Sequence, residues 1–318
     1  MRILGVPFNS AGRPDGVARA PRALRDAGLV GRLRERIPGG APAPGAGRPR
    51  TGRTDQVHDA GDVRVGTLSP ERDTRSGLIS PGGLETVTAS VREAVAGALD
   101  EGELPLVLGG DCPVLLGCLR GAADVAGETG LLFVDGHEDA WAPDSSTTGE
   151  AADCELGFLL GMHRENLPRS LVRLLPALDP DAVVALGPRD SEELAAHRVP
   201  SLAGTIDMRT ADEVGASGDS PGRHAGEATD RILRRAGNWW LHVDLDVLST
   251  EALPAVDYPQ PGGLTWPQLE LLTSTALRAP GLAGMTLCIY NPDLDPGLHH
   301  ADRIVEFLGR MWEHRGDG

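Results

Sequence analysis

Short apolar runs alternate along the chain with longer segments of helical period. Residues 3–7, 105–108, 131–134, 182–186, 239–243 and 285–289 are dense in Val, Leu and Ile and too short for helices, so they read as buried strands. Residues 85–99, 113–120, 156–162, 227–235, 266–277 and 301–312 carry apolar positions at helical spacing. A strand, helix, strand repetition predicts a mostly parallel sheet covered on both faces, an α/β fold. Residues 39–54, rich in Pro, Gly and Arg, have no periodicity and read as a flexible surface loop, and 215–226 read the same way. Neither marks a change of composition large enough for a boundary, so 1–318 is expected to be one domain.

Charge narrows the partners. Thirty basic residues stand against 46 acidic ones, a formal net charge of -16, and no basic run offers a surface to nucleic acid or an anionic membrane. A small-molecule substrate is the expected partner. All the basic residues other than histidine are Arg; with no Lys, a lysine Schiff base and a Walker-type phosphate loop are both excluded. The first seven residues read as a strand rather than a secretory leader, and no apolar stretch approaches the ~20 residues needed to span a bilayer. Cys112, Cys118, Cys154 and Cys288 lack close paired spacing and read as reduced thiols, so the expected compartment is the cytoplasm.

The chemistry concentrates where strands end. Asp135-Gly136-His137-Glu138-Asp139 directly follows 131–134, and Asp244-Leu245-Asp246 directly follows 239–243. Ligands of open α/β sheets collect outside the carboxyl ends of the strands, so both clusters can be aimed at one spot. Four carboxylates and an imidazole exceed what one first-row cation usually takes and suit a two-metal centre. A third segment, Leu106-Val107-Leu108-Gly109-Gly110-Asp111-Cys112-Pro113, ends a strand on two glycines and opens a helix, with Asp111 expected to brace the turn.

These segments resemble the Gly-Gly-Asp-His-Ser, Asp-Ala-His-x-Asp and Asp-x-Asp motifs of the arginase and agmatinase family, the ureohydrolases, in the same order. Pro254-Ala255, Gly262-Gly263-Leu264-Thr265, Asn291-Pro292 and the stretch 16–28 extend the resemblance over nearly the whole chain. It implies a three-layer α/β/α fold with about eight mostly parallel strands, and homotrimers or hexamers. It also implies two divalent metal ions, usually manganese. Carried over by position, Cys112, Asp135, Asp139 and Asp244 would surround one ion, and Asp135, His137, Asp244 and Asp246 the other. The implied activity is hydrolysis of a guanidino or amidino C-N bond, releasing urea, with a metal-bridging hydroxide as nucleophile.

Three positions depart from the family pattern. Cys112 stands where most members have His; a thiolate is softer than imidazole and shifts preference from manganese toward zinc, iron or cobalt. Ile289 stands where a Glu binds the guanidinium, which opens the alternatives of an N-hydroxyguanidine, formimino or amide substrate. The proton-relay His falls near Ala152-Asp153, leaving Glu150 or Asp153 as acid or base beside Asp139. His163, His299 and His300 are weaker candidates, and Arg189 is a candidate for an anionic substrate end. A degenerate, non-catalytic relative that binds metal or metabolite is the reading from another class.

Overall fold

The computed structural model describes residues 1–37 and 57–313; the expected loop at 39–54 lies outside the described residues. Within them eight strands form one sheet: β1 Arg2–Val6, β2 His58–Asp62, β3 Pro105–Gly109, β4 Thr129–Val134, β5 Val183–Gly187, β6 Asp207–Thr210, β7 Asn238–Asp244 and β8 Leu282–Cys288. Their order is β2-β1-β3-β8-β7-β4-β5-β6, and every pairing is parallel. The flanking helices are α1 Ala20–Asp26, α2 Leu29–Arg36, α3 Pro81–Asp100, α4 Val114–Ala126, α5 Glu155–Leu159, α6 Arg169–Leu174, α7 Ser191–His197, α8 Ala211–Val214, α9 Ser220–Leu233, α10 Trp266–Ala276 and α11 His299–Glu313. β3, β4, β5 and β8 are buried at every residue, which requires helices on both faces. None of the described helices is long and apolar enough to cross a membrane.

Two strands escape the hydrophobic pattern because they are the sheet's edges. β2 reads His-Asp-Ala-Gly-Asp and β6 reads Asp-Met-Arg-Thr, with no residue of either fully buried. Charged edges of this kind discourage pairing with another chain, and they leave no apolar run to recognise. The expected loop at 215–226 is corrected: its second half is the start of α9, which begins at Ser220 with Pro221 in the first turn. Pro is pre-organised at that position. Gly222, a helix breaker by propensity, is buried where α9 meets α10, and a Cβ there would lie 3.2 Å from Thr275 Oγ1.

Packing at the centre fixes the register of β7 against β8. Trp240 lies fully buried opposite Gly284, where an added Cβ would come within 2.3 Å of the indole, and its N–H donates to Thr286 Oγ1 at 2.6 Å. Because β3, β8, β7 and β4 run side by side and parallel, their carboxyl ends share one edge. The segments that leave them therefore emerge next to one another.

Candidate metal centre

The turn after β3 works by close backbone approach. A Cβ on Gly109 would sit 2.4 Å from Cys288 Sγ, and one on Gly110 2.0 Å from the Phe8 carbonyl oxygen, so both positions require glycine. Asp111 is tied to its own turn: its Oδ2 accepts from the Ser10 N–H at 2.7 Å and from the Ser10 hydroxyl, and its Oδ1 accepts from the Cys112 N–H at 2.9 Å. Burial pushes its carboxyl up to about 6. It braces the turn, as expected, and thereby delivers Cys112, buried, with Sγ 2.7 Å from Asp244 Oδ2.

From β4 the chain presents Asp135, whose Oδ1 accepts the His137 N–H at 2.8 Å while Oδ2, buried, meets no hydrogen-bond donor. His137 Nδ1 lies 3.0 Å from Asp246 Oδ2 and 3.8 Å from Asp135 Oδ1. From β7, Asp244 Oδ1 accepts the Asp246 N–H at 2.7 Å, and Asp246 Oδ1 accepts the Gly136 N–H at 3.1 Å. Asp139, partly buried, sits at a positive φ of 44° that aims it back toward the group. Burial first, and mutual repulsion next, hold the carboxyls of Asp135, Asp139 and Asp244 well above the usual range. Burial presses Asp246 upward too, but His137 and Arg189 outweigh it and its carboxyl falls. Burial opposes charge on His137, yet Asp246 and then Asp135 dominate and raise the imidazole to about 10. All six metal-ligand candidates thus meet at one edge of the sheet, and five of them, Asp135 being the exception, line a cavity of about 230 Å³.

The acid or base candidates separate. Asp153 lines the same cavity, and its Oδ2 accepts from the hydroxyls of Thr148 at 2.8 Å and Ser146, with burial raising its carboxyl. Glu150 lines a neighbouring pocket with Asn9 and Asp257 instead. Its Oε1 accepts from Tyr258 Oη at 2.9 Å, and burial, with Asp111 nearby, pushes it up to about 7. Ile289 lines the cavity with φ at 70°, left-handed backbone that a β-branched residue seldom adopts. Arg189 is no free clamp. It donates to the carbonyls of Asp246 at 2.7 Å and Pro261 at 3.2 Å, bracing the loop behind Asp246. Gly136 makes that possible, since a Cβ there would be 2.4 Å from Arg189 Nη1. His299 and His300 open α11 and donate backbone N–H groups to Asp295; they and His163 lie outside the cavity.

Two residues that sequence reasoning passed over stand beside the group. Glu155, at the start of α5, is 0% exposed with neither oxygen hydrogen-bonded, and His242, on β7, is 0% exposed with neither ring nitrogen hydrogen-bonded. His242 stacks on Phe133 at 5.0 Å and its Nε2 is 3.8 Å from Asp135 Oδ2. Alternation along a strand was the available signal: positions 242 and 244 share a face, so a His two residues before Asp244 points the same way.

The family model of the arginase family matches residues 1–310. An arginase of Bacillus caldovelox is 27% identical over 314 residues, covering 98% of this chain and 97% of its own length. The pig, Sus scrofa, arginase-1 is 28% identical over 309 residues, 95% of this chain and 88% of its own. The solved Bacillus caldovelox arginase superposes with a TM-score of 0.79 at 24% identity, covering 98% of this chain and 97% of its own. A formimidoylglutamase from Bacillus subtilis gives 0.70 at 16% identity, covering 100% and 87%, a likeness of fold alone. With an all-parallel eight-stranded sheet and a family match over nearly its whole length, this chain belongs to the arginase family and is a hydrolase of that family.

Proposed function

We propose that this hydrolase cleaves a C-N bond of a small linear amidine with the help of two divalent cations, manganese being the reference metal of the resembling family. Cys112, Asp135, Asp139 and Asp244 would hold one cation, and Asp135, His137, Asp244 and Asp246 the other. The observation that carries this reading is the crowding of buried carboxylates around too few cationic partners: Asp135 is 0% exposed, leaves Oδ2 without a donor, and is pressed by Asp246 and Asp190 with His137 as the cation that offsets them. Such a group is costly to fold unless cations neutralise it. The donors fit divalent ions, being oxygen-rich with one imidazole and one thiol. Bound there, two cations supply Lewis acidity and a water made acidic enough to attack near neutral pH.

The chain's own residues do the rest. Asp153, oriented by the hydroxyls of Ser146 and Thr148, holds a proton for the leaving amine, the task the family gives to a His. Trp141, Ile289 and Tyr258 form the apolar part of the cavity wall and exclude water, while Asp190 and Glu193 favour a neutral or cationic substrate over an anionic one. The test is a panel of guanidino, hydroxyguanidino, formimino and amide compounds offered to manganese-, cobalt- and zinc-loaded protein. Release of neither urea, ammonia nor amine from any of them would refute the reading.

One observation favours a second reading within the same chemistry. Ile289 places an apolar side chain where the family's Glu grips a guanidinium, so the native substrate carries a less cationic group. Ile289→Glu separates the two readings. Urea release from guanidines by the variant alone supports the second; equal release by both proteins supports the first. We further propose that 1–318 forms one domain working in the cytoplasm, in keeping with four free cysteines. The expectation of a homotrimer or hexamer rests on the resemblance and is read by sedimentation.

A further inference from the structure

Below the cavity lies a group of side chains that this reading uses only in part. Cys112, Asp135, Glu155 and His242 each offer a donor atom, these atoms lie within 4.8 Å of one another, and all four residues are buried. Cys112 and Asp135 are already ligand candidates. Glu155 and His242 are not, and the resemblance gives neither of them a part.

Both are unexplained as structure. A carboxylate that is fully buried keeps its charge only if donors or cations surround it, and Glu155 has no cation: neither oxygen makes a well-formed hydrogen bond, and the side chains that act on it, Asp135, Asp111 and Asp139, are all acids. Two arginines of the surrounding loops are engaged elsewhere, Arg189 through Nε and Nη2 with the carbonyls of Pro261 and Asp246, its Nη1 being buried without a partner, and Arg72 with the carbonyls of Gly77, Pro143 and Ser146. His242 lies flat on Phe133 with two ring nitrogens that bond to nothing, although an imidazole N–H buried in apolar surroundings ordinarily finds an acceptor. The two do not satisfy each other, since no hydrogen bond joins them. Asp135 Oδ2, also without a donor, faces His242 Nε2 at 3.8 Å, a separation too long for a hydrogen bond and ordinary for two ligands of one ion.

A single cation among these atoms would engage one donor atom from each of the four residues. We infer that the cation on the Cys112 side is held by Glu155 and His242 together with Cys112 and Asp135. This deepens the two-cation reading above and rests on it. One thiolate, one imidazole and two carboxylates form a borderline-soft, four-donor set of the kind that binds zinc or cobalt(II) in preference to manganese. The chain would then pair an oxygen-rich site around Asp246 and His137 with a softer one beneath it. The exchange of His for Cys at 112 is compensated by an imidazole supplied from the strand.

The set carried over from the resemblance for this ion, Cys112, Asp135, Asp139 and Asp244, contains no imidazole, so the two assignments differ in a directly readable way. The experiment loads the full chain carrying His137→Ala, which removes the other imidazole of the site, with one equivalent of zinc and records its X-ray absorption. One sulfur at about 2.3 Å and one imidazole nitrogen at about 2.0 Å are expected; a sulfur shell without imidazole overturns the inference and leaves the two-cation reading standing. The second measurement titrates metal-free wild type and Glu155→Gln with cobalt(II), following the thiolate-to-cobalt charge-transfer band. The variant is expected to bind the cysteine-ligated ion at least tenfold more weakly, while its metal-free melting temperature stays at or above that of wild type. Unchanged affinity, or a lowered metal-free melting temperature with unchanged affinity, makes Glu155 a structural residue and overturns the inference. Wild type that takes up no cation at all refutes both readings together.

Discussion

Glu150 offers a perturbation whose sign and size follow from its surroundings. Its carboxyl is raised from an ordinary 4.5 to about 7 by burial and by Asp111, against the lowering effect of the Tyr258 hydroxyl. Below about pH 4.5 the folded and unfolded chains both carry the proton and the residue is neutral toward stability. Between there and pH 7 the folded chain keeps a proton that the unfolded chain has lost, so wild-type stability falls as pH rises, and above pH 7 the full penalty is present. At about 1.4 kcal/mol for each pH unit the penalty is about 3.5 kcal/mol, and the residue's partial exposure trims it to about 2 kcal/mol. Glu150→Gln removes the charge and keeps an oxygen that can accept from Tyr258 Oη, now at 2.9 Å. The variant is therefore expected to melt about 3 °C above wild type at pH 8, with the difference shrinking toward zero near pH 5. The assay is a pair of metal-free thermal melts across that range, in which the contributions of other groups cancel. A variant no more stable than wild type at pH 8, or an offset independent of pH, would refute the reasoning.

Three further outcomes follow from the site. Cys112→His restores the harder donor and is expected to raise manganese affinity on that side by about tenfold, read by isothermal titration; no change would mean that Cys112 is not a ligand. Asp153→Asn is expected to lower kcat by about a hundredfold or more with KM within about threefold, and to abolish the limb of the pH profile that reports the proton donor. Because Asp135, Asp139 and Asp244 sit well above the usual carboxylate range and must shed protons to bind cations, the gain in melting temperature on adding metal is expected to grow from pH 5 to pH 8. A gain that is flat or falling over that range would contradict their role.

Much of this architecture was legible because its signals are local. The buried strands β3, β4, β5, β7 and β8 announce themselves as apolar runs, and the carboxylates that end β4 and β7 follow them directly in the chain. The edge strands β2 and β6 were not legible, since an edge is polar by necessity. The expected helix at 227–235 is the second half of α9; its first half was read as a loop because the first turn is made of Ser, Pro and Gly, residues whose helical state goes with packing on α10. The functional residues divide in the same way. Cys112, His137 and Asp246 lie within recognisable turns, whereas Glu155 looks like an ordinary acidic opening to a helix until its burial is seen. Arg189 looked free to meet a substrate; its commitment to the carbonyl of Asp246 depends on a contact across 57 residues of chain that no local pattern carries.

The most direct test of the account is metal content by elemental analysis of the purified protein after supplementation with manganese and zinc. Two ions per chain are predicted, with Asp135→Asn reducing both because its carboxylate is shared. No bound metal in wild type would contradict the central claim and leave the converging carboxylates of Asp135, Asp139 and Asp244 as a site for something other than cations.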